Sequence, residues 1–329
     1  MDGPEFSLEA LVFDGEIHMT GFADRHIFFP PYFIEMGHTI PSGYPESDVA
    51  ALTEVFKRGV RALGLSHGAA KGDMKLTSRG PMVGEIAGRL SGGYMSGWTF
   101  PYSSGIDLTG SAMELAVGLR PAAIEPVKFW TSAERAWISI PGKIASVLGY
   151  EKARAIPYVK DIFPRSNPGD TVTFPLNNVE KCGNCLAAAP ARDLAITAAE
   201  DACRAIILRL EPADPATDAF LNTENTDPSA FPPNAFALNL NIITGQSLPE
   251  SLFPGCVIHI PSGLVPYLDS VQDWQGRTLR QTLILACELE SGLMASLGPE
   301  SEKSPNLYWK ALLRGGIQGI VYVYDSAQQ

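Results

Sequence analysis

The sequence predicts an α+β fold, an antiparallel sheet with packed helices. Two observations carry this expectation. Strand signals arrive as neighbouring pairs joined by tight turns, and three separate stretches place their apolar residues at helical spacing. The chain has 329 residues, 45% hydrophobic and 19% charged, with 31 Gly and 26 Pro. That is globular composition, unlike a disordered, collagen-like or coiled-coil chain, and the length corresponds to roughly two domains.

The elements follow in order. Phe6 to Phe13 reads as a strand, Asp14-Gly15 as a turn, and Glu16 to Phe22 as the partner strand. A chain that opens directly into a hairpin needs other surfaces to cover it. Between Pro45 and Gly64, residues Val49, Leu52, Phe56, Val60 and Leu63 recur at helical spacing, which predicts a helix over 46–63. Residues 69–77 and 81–89 read as two strands around Ser78–Pro81, followed by the glycine-rich stretch 90–97 and a short helix over 109–119. Short strands are expected at 135–140 and 170–174. A helix is expected over 193–210, on Leu194, Ala198, Ala202, Ile206 and Leu210. Residues 211–234 are rich in Pro, Asp, Asn and Thr and read as a surface connection or partly disordered linker. A helix is expected over 278–297 and a final strand over Gly319–Tyr324. There is no internal repeat.

Composition excludes several function classes. A net charge of −11 argues against a broad surface for nucleic acid or anionic membrane. Five cysteines, sparse and odd in number, fit a reducing compartment, so a cytoplasmic location is expected. No run approaches the ~18 apolar residues of a bilayer span, and the N-terminus lacks the basic and apolar regions of a signal peptide. Cys182-Gly183-Asn184-Cys185 stands alone, without the further ligands of a zinc site, and reads as a strand with two small residues. The five histidines form no metal-binding pair, and no G-x-S-x-G run supports a serine nucleophile.

The most informative stretch is 69–93. Taken as a hairpin centred near Arg79, it sets Asp73 opposite Glu85, Lys75 opposite Val83 and Lys71 opposite Ala87, with Leu76–Met82 and Met74–Gly84 on the other face. Directly opposed carboxylates repel. A divalent cation between them is the simplest reason for such a pair, since Mg²⁺ is commonly held by one or two carboxylates plus phosphates and water. A plain solvated face is the alternative, and a one-residue slip of register would move a whole strand to the other side. Arg89, on the Glu85 face, could hold a phosphoryl or carboxylate group bidentately.

This stretch resembles the metal-binding hairpin of the ATP-grasp superfamily, an acidic residue on one strand and a Glu-x-Asn/Ala-x-Arg run on the next, here Asp73 and Glu85-Ile86-Ala87-Gly88-Arg89. Other parts agree in order. Gly3–Glu9 resembles the strand past the adenine-binding hinge, and Phe33–Ser42 the loop before the helix. Gly183-Asn184-Cys185-Leu186-Ala187, followed by a helix, is similar to the small C-terminal domain of the carboxylate–amine ligases and their carbamoyl-phosphate-synthase-like relatives.

The resemblance covers about residues 1–221 and implies the C-terminal lobe of an ATP-grasp ligase. Residues 1–120 would be the second half of the grasp domain, 121–221 the ligase C-terminal subdomain and 222–234 a linker. Residues 235–329 would be a small α/β segment without assignment. The implied chemistry is ATP- and Mg-dependent joining of a small-molecule carboxylate to an amine or thiol through an acyl-phosphate. By resemblance Asp73 and Glu85 would hold Mg²⁺ and Arg89 would stabilise the acyl-phosphate. Glu5, His38 and Lys75 would face the nucleotide.

Two departures stand out: Asp73 where Glu is usual, and Ala87 where Asn is often found. The family also carries, ahead of the strand at Glu5, a Rossmann-like domain and the first half of the grasp. The expectation is therefore a chain incomplete without an N-terminal half, met by a separate chain or by a homodimer. The alternative is a non-catalytic assembly or regulatory module derived from such an enzyme.

Overall fold

The computed structural model describes residues 1–223, 230–243, 246–253, 256–297 and 305–329. The chain opens with β1 (Glu5–Phe13), β2 (Glu16–Phe28), β3 (Ile34–Ile40), α1 (Glu46–Ala62), β4 (Gly68–Thr77) and β5 (Gly80–Ala87). A single π-turn, Met95–Thr99, leads into α2 (Phe100–Ser104) and α3 (Leu108–Ala116). Next come β6 (Thr131–Trp137), β7 (Gly142–Leu148), α4 (Tyr150–Arg154), β8 (Val159–Pro164) and β9 (Thr171–Val172). These are followed by β10 (Gly183–Ala189), α5 (Arg192–Ala205), β11 (Ile207–Leu210) and α6 (Pro215–Asn222). The C-terminal part holds β12 (Ser247–Phe253), β13 (Cys256–Pro261), α7 (Leu279–Leu289), α8 (Leu293–Ser296) and α9 (Pro305–Ser326).

The expected α+β class is what folds. Eight strands form one antiparallel sheet in the order β5-β4-β1-β2-β3-β6-β10-β8. Strand alternation gives it two unlike faces. On one face, Phe6, Leu8, Ala10 and Val12 of β1 and Ala70 and Met74 of β4 bury against Leu52, Phe56 and Val60 of α1. On the other, Leu11, Phe13, Ala23 and Ile40 are covered by Met95, Phe100, Leu108 and Leu115 from the segment after β5. The opposite end of that second face carries the charged residues.

Gly72 lets α1 lie close to the sheet. A Cβ there would stand 2.5 Å from the Phe56 ring, too near for a carbon contact. Gly72→Ala is expected to cost about 1–3 kcal/mol through overpacking, read as a lower urea midpoint. An unchanged midpoint would show that Phe56 yields freely.

Several expectations are corrected. Residues 34–40, expected as part of a loop, form β3, which pairs with β2 on one side and β6 on the other. The helix expected over 193–210 ends at Ala205, and Ile207–Leu210 pair instead with β7, because an Ile-Ile-Leu run suits a pleated, buried surface. The helix expected over 278–297 is α7 followed by the separate turn α8. The strand expected over 319–324 lies inside α9. There Ile320, Val321 and Tyr322 are all buried, and a helix buried on every side loses the polar stripe that marks it in sequence. Of the stretch 211–234 read as a surface connection, 224–229 lie outside the described residues, while Pro215–Asn222 form α6 with Thr217, Phe220 and Leu221 buried.

Residues 235–329 share one hydrophobic core with the preceding region. Ile140, Ile144, Cys203 and Leu208 pack in the same cluster as Phe236, Leu283, Trp309, Leu312 and Ile320. Polar ties cross between the two parts. The Gln318 amide donates to Ser139 Oγ at 2.8 Å and Leu208 O at 3.3 Å, and accepts from Ile140 N at 3.2 Å.

Candidate active site

The charged face is built by register. Asp73 lies directly opposite Glu85 on β5 and Ser7 on β1, while Glu5 lies opposite both Lys75 and Arg25. Arg25 is in turn opposite His38, and His38 opposite Glu134. Directly paired antiparallel residues point to the same side. One polar band therefore runs across the sheet from Glu85 to Glu134.

The hairpin register differs from the expected one near its turn. Asp73–Glu85 and Lys71–Ala87 are in register, but an irregularity between Asp73 and Met74 shifts Lys75 to Met82, Leu76 to Pro81 and Met74 to Val83. The extra residue is absorbed beside Gly84, the kind of kink a β-bulge introduces.

Arg25 is the hub of the band. Its guanidinium lies 2.9 Å from Glu35, 3.3 Å from Asp73 and 3.4 Å from Glu5. Burial opposes its charge, but the Glu35, Asp73 and Glu5 carboxylates outweigh burial and raise its pKa. Lys75 Nζ pairs with Glu5 at 2.9 Å. Lys71 Nζ pairs with Asp73 and lies 3.7 Å from Glu85. Arg89 stands 3.9 Å from Glu85 with its side chain 58% exposed, so it is free to meet a ligand. A hollow of about 300 Å³ opens beside Glu5, Arg25 and Tyr44.

His38 lies apart from the hairpin, three inter-strand spacings or about 14 Å away. It is buried, with Nε2 2.7 Å from Thr99 Oγ1 and Nδ1 3.4 Å from Glu134. Asn184 donates its amide to the same Glu134. Burial would raise the Glu134 pKa, but the bond and charge of His38, with Lys181 and Asn184, outweigh it and hold that pKa below its ordinary value.

The segment after β5 seals this end of the band. Ser91 N donates to Glu9 Oε1 at 2.7 Å, and Ser96 Oγ donates to the same oxygen. Tyr102 donates to Asp161, and Tyr94 stacks on Phe163 at 4.6 Å.

Of the residues singled out from sequence, the structure brings Glu5, Asp73, Lys75, Glu85 and Arg89 together and leaves His38 further along the same face. Arg25, Glu35, Lys71 and Glu134 were not singled out. One signal existed for Arg25: Asp24-Arg25-His26 puts three polar residues in succession into a strand, which simple solvation of one face does not require. Asp24 faces away and ties Gly43 N at 2.8 Å and Arg192 at 2.6 Å. His26 borders the hollow beside Glu5 and also lines a second cleft.

That cleft, about 660 Å³, lies on the opposite face. It is lined by His26, Arg135, Glu200, Arg204 and Trp274 among others. Burial, with the nearby Arg135 charge, lowers the His26 pKa to about 3, so His26 is neutral at pH 7.

The residues do not fit a metal ion held by the protein at the hairpin. Ala87 offers no donor, the Lys71 ammonium stands between Asp73 and Glu85, and Arg25 is also on Asp73. Among the described residues no group of three or more His, Cys, Asp or Glu side chains is arranged to hold a metal. The five cysteines are all free and buried, and burial pushes the Cys182 thiol up to about 11, which suits a structural rather than a redox-active C-x-x-C.

Residues 136–211 match the family described as L-amino acid ligase C-terminal domain 2. The chain is 34% identical over 119 residues to carnosine synthase 1 of Gallus gallus, covering 36% of this chain and 13% of that one. It is 26% identical over 213 residues to the uncharacterized protein y4rH of Sinorhizobium fredii, covering 64% of this chain and 43% of the other. It thus spans less than half the length of these curated relatives.

Among solved structures, the fold is similar to the L-amino acid ligase of Bacillus licheniformis (TM-score 0.58, 21% identity, 64% of this chain and 53% of that one). It is equally similar to phosphoribosylglycinamide synthetase of Anaerococcus prevotii (TM-score 0.58, 16% identity, 64% and 54%). At these identities the likeness is one of fold.

Proposed function

We propose, for a chain that belongs to the ATP-grasp carboxylate–amine ligase family, that it forms one wall of a ligase cleft in which ATP drives the joining of a small-molecule carboxylate to an amine or thiol. The observation that carries this reading is the continuous charged band from Glu85 to Glu134 on a sheet of the family's fold. The acyl-phosphate route is the finer part of the proposal. In it, a carboxylate oxygen attacks the γ-phosphorus of ATP and ADP leaves. The nucleophile then adds to the acyl carbon and phosphate departs.

Each side chain has a role in this reading. Arg89, the exposed cation beside Glu85, faces the transferred phosphoryl group. Glu5 borders the hollow on the nucleotide side, and Lys75 pairs with it. Arg25 holds Glu5, Glu35 and Asp73 in place rather than touching substrate. His38, fixed by Glu134 and Thr99, marks the part of the band where the acceptor is covered by the segment 91–104. The chain spans about half the length of the ligase structure it resembles, and in this reading its sheet supplies one wall of the cleft.

The test is phosphate release from ATP by the protein across a panel of amino acids. Release that needs both a carboxylate and an amine supports the reading. Arg89→Ala is expected to lower the rate about 10²-fold, as loss of one electrostatic stabiliser does. A protein that shows neither nucleotide binding nor phosphate release would sink it. A second reading, a non-catalytic assembly or regulatory module, is favoured by one observation, the Lys71 ammonium lodged between Asp73 and Glu85.

A further inference from the structure

We infer that Lys71 is the resident cation of the Asp73–Glu85 pair, so that this hairpin carries its own ammonium group where the family fold implies a protein-held Mg²⁺. The inference rests on the ligase-lobe reading only for which ion the family holds there.

Strand geometry puts Lys71 in place. It is two residues before Asp73 on β4, so the two side chains point to the same side of the sheet. No rotamer choice is needed to bring it to that face. Its ammonium then pairs with Asp73 and reaches Glu85 at 3.7 Å. The side chain is 10% exposed, so the charge is held inside the band and not in solvent.

Its cross-strand neighbours fit the same role. Lys71 is in register with Ala87 on β5 and with Glu9 on β1. Ala87 is the position at which an amide donor is often found in the family. Here that donor is lost on one strand, and a permanent cation faces it on the next. A methyl group at 87 leaves room for the lysine stem, which an amide would contest.

Charge balance points the same way. Glu5, Glu35, Asp73 and Glu85 are met by Arg25, Lys71, Lys75 and Arg89. Asp73 and Glu85 each meet a cation, whereas Glu9, in register with Lys71, has Oε1 held by Ser91 and Ser96 and Oε2 without a hydrogen-bond partner among the described residues. An incoming Mg²⁺ must displace a buried, paired ammonium, and breaking such a pair is costly. A lysine is also a sufficient partner for phosphate, acting as a point charge.

The experiment uses Mn²⁺ alone, with no nucleotide, followed by its electron paramagnetic resonance signal on the full chain. Four proteins are compared: wild type, Lys71→Met, Lys71→Met with Ala87→Asn, and the latter with Asp73→Asn. Circular dichroism checks that each is folded.

Wild type is expected to leave the Mn²⁺ signal free. The Lys71→Met/Ala87→Asn protein is expected to bind about tenfold or more tightly than wild type, since a unit positive charge about 4 Å from the ion is gone. Lys71→Met is expected in between, and Asp73→Asn is expected to remove the gain. Wild-type binding as tight as the double variant's, or no binding by the folded double variant, overturns the inference. Failure of the ligase reading shows elsewhere, as no nucleotide binding by the protein, whatever the Mn²⁺ result.

Discussion

Arg25→Met is expected to lower stability by about 3 kcal/mol, the low end of the range for breaking a buried ion pair. The side chain is only 14% exposed and serves Glu35, Asp73 and Glu5 together. Lys71 and Lys75 still neutralise Asp73 and Glu5 in the variant. The loss therefore falls chiefly on Glu35, whose carboxylate is 21% exposed and meets the guanidinium at 2.9 Å.

Two controls follow from this. Arg25→Lys should recover only part of the loss, because an ammonium lacks the planar fork that reaches three acceptors at once. Arg25→Met with Glu35→Gln should be less destabilised than the sum of the single changes, since the pair is coupled. Urea unfolding of these variants and of Glu35→Gln alone gives the four numbers. A loss under about 1 kcal/mol for Arg25→Met would place the band among ordinary surface ion pairs and remove Arg25 as its organiser.

Arg314→Met is expected to have a similar cost at the other end of the molecule, about 3 kcal/mol, as charged hydrogen-bond donors are lost from the core. The Arg314 side chain donates to Phe220 O at 3.2 Å, Pro232 O at 2.7 Å and Asn234 Oδ1 at 3.2 Å, and lies 4.1 Å from the Phe220 ring centre. Burial lowers its pKa to about 10, so it is still charged at pH 7.

The same packing makes a prediction about cooperativity. The core that holds Ile140 and Leu208 also holds Trp309 and Ile320, so the region 136–211 and the C-terminal helices should unfold together. Circular dichroism and tryptophan fluorescence should report one coincident transition, in wild type and variant alike. Two separated transitions would show that residues 235–329 fold as an independent unit.

Local pattern carried the hairpins and helices nearest the site. Alternation was enough to place Asp73 opposite Glu85, and helical spacing was enough to find α1, whose Leu52, Phe56 and Val60 are the buried residues of that helix. The same reasoning misread Ile207–Leu210 and Gly319–Tyr324. Their apolar runs suit a buried helix and a buried strand alike, and only the neighbours decide which one forms. β3 was missed for a related reason: Ile34–Ile40 contains Gly37 and Glu35 and shows no clean alternation, because it is central and covered on both sides.

Composition and spacing alone were sufficient for the α+β class, for the acidic balance, and for the pairing of the two hairpin acids. Those properties depend on residues close in the chain. Tertiary structure decided what the acids meet. Arg25 is 48 residues before Asp73 in sequence and becomes its partner only because β1 lies between β2 and β4. Glu134 reaches His38 across 96 positions by the pairing of β6 with β3. Charge acts through space, and strand order, which local pattern does not encode, sets which charges are near.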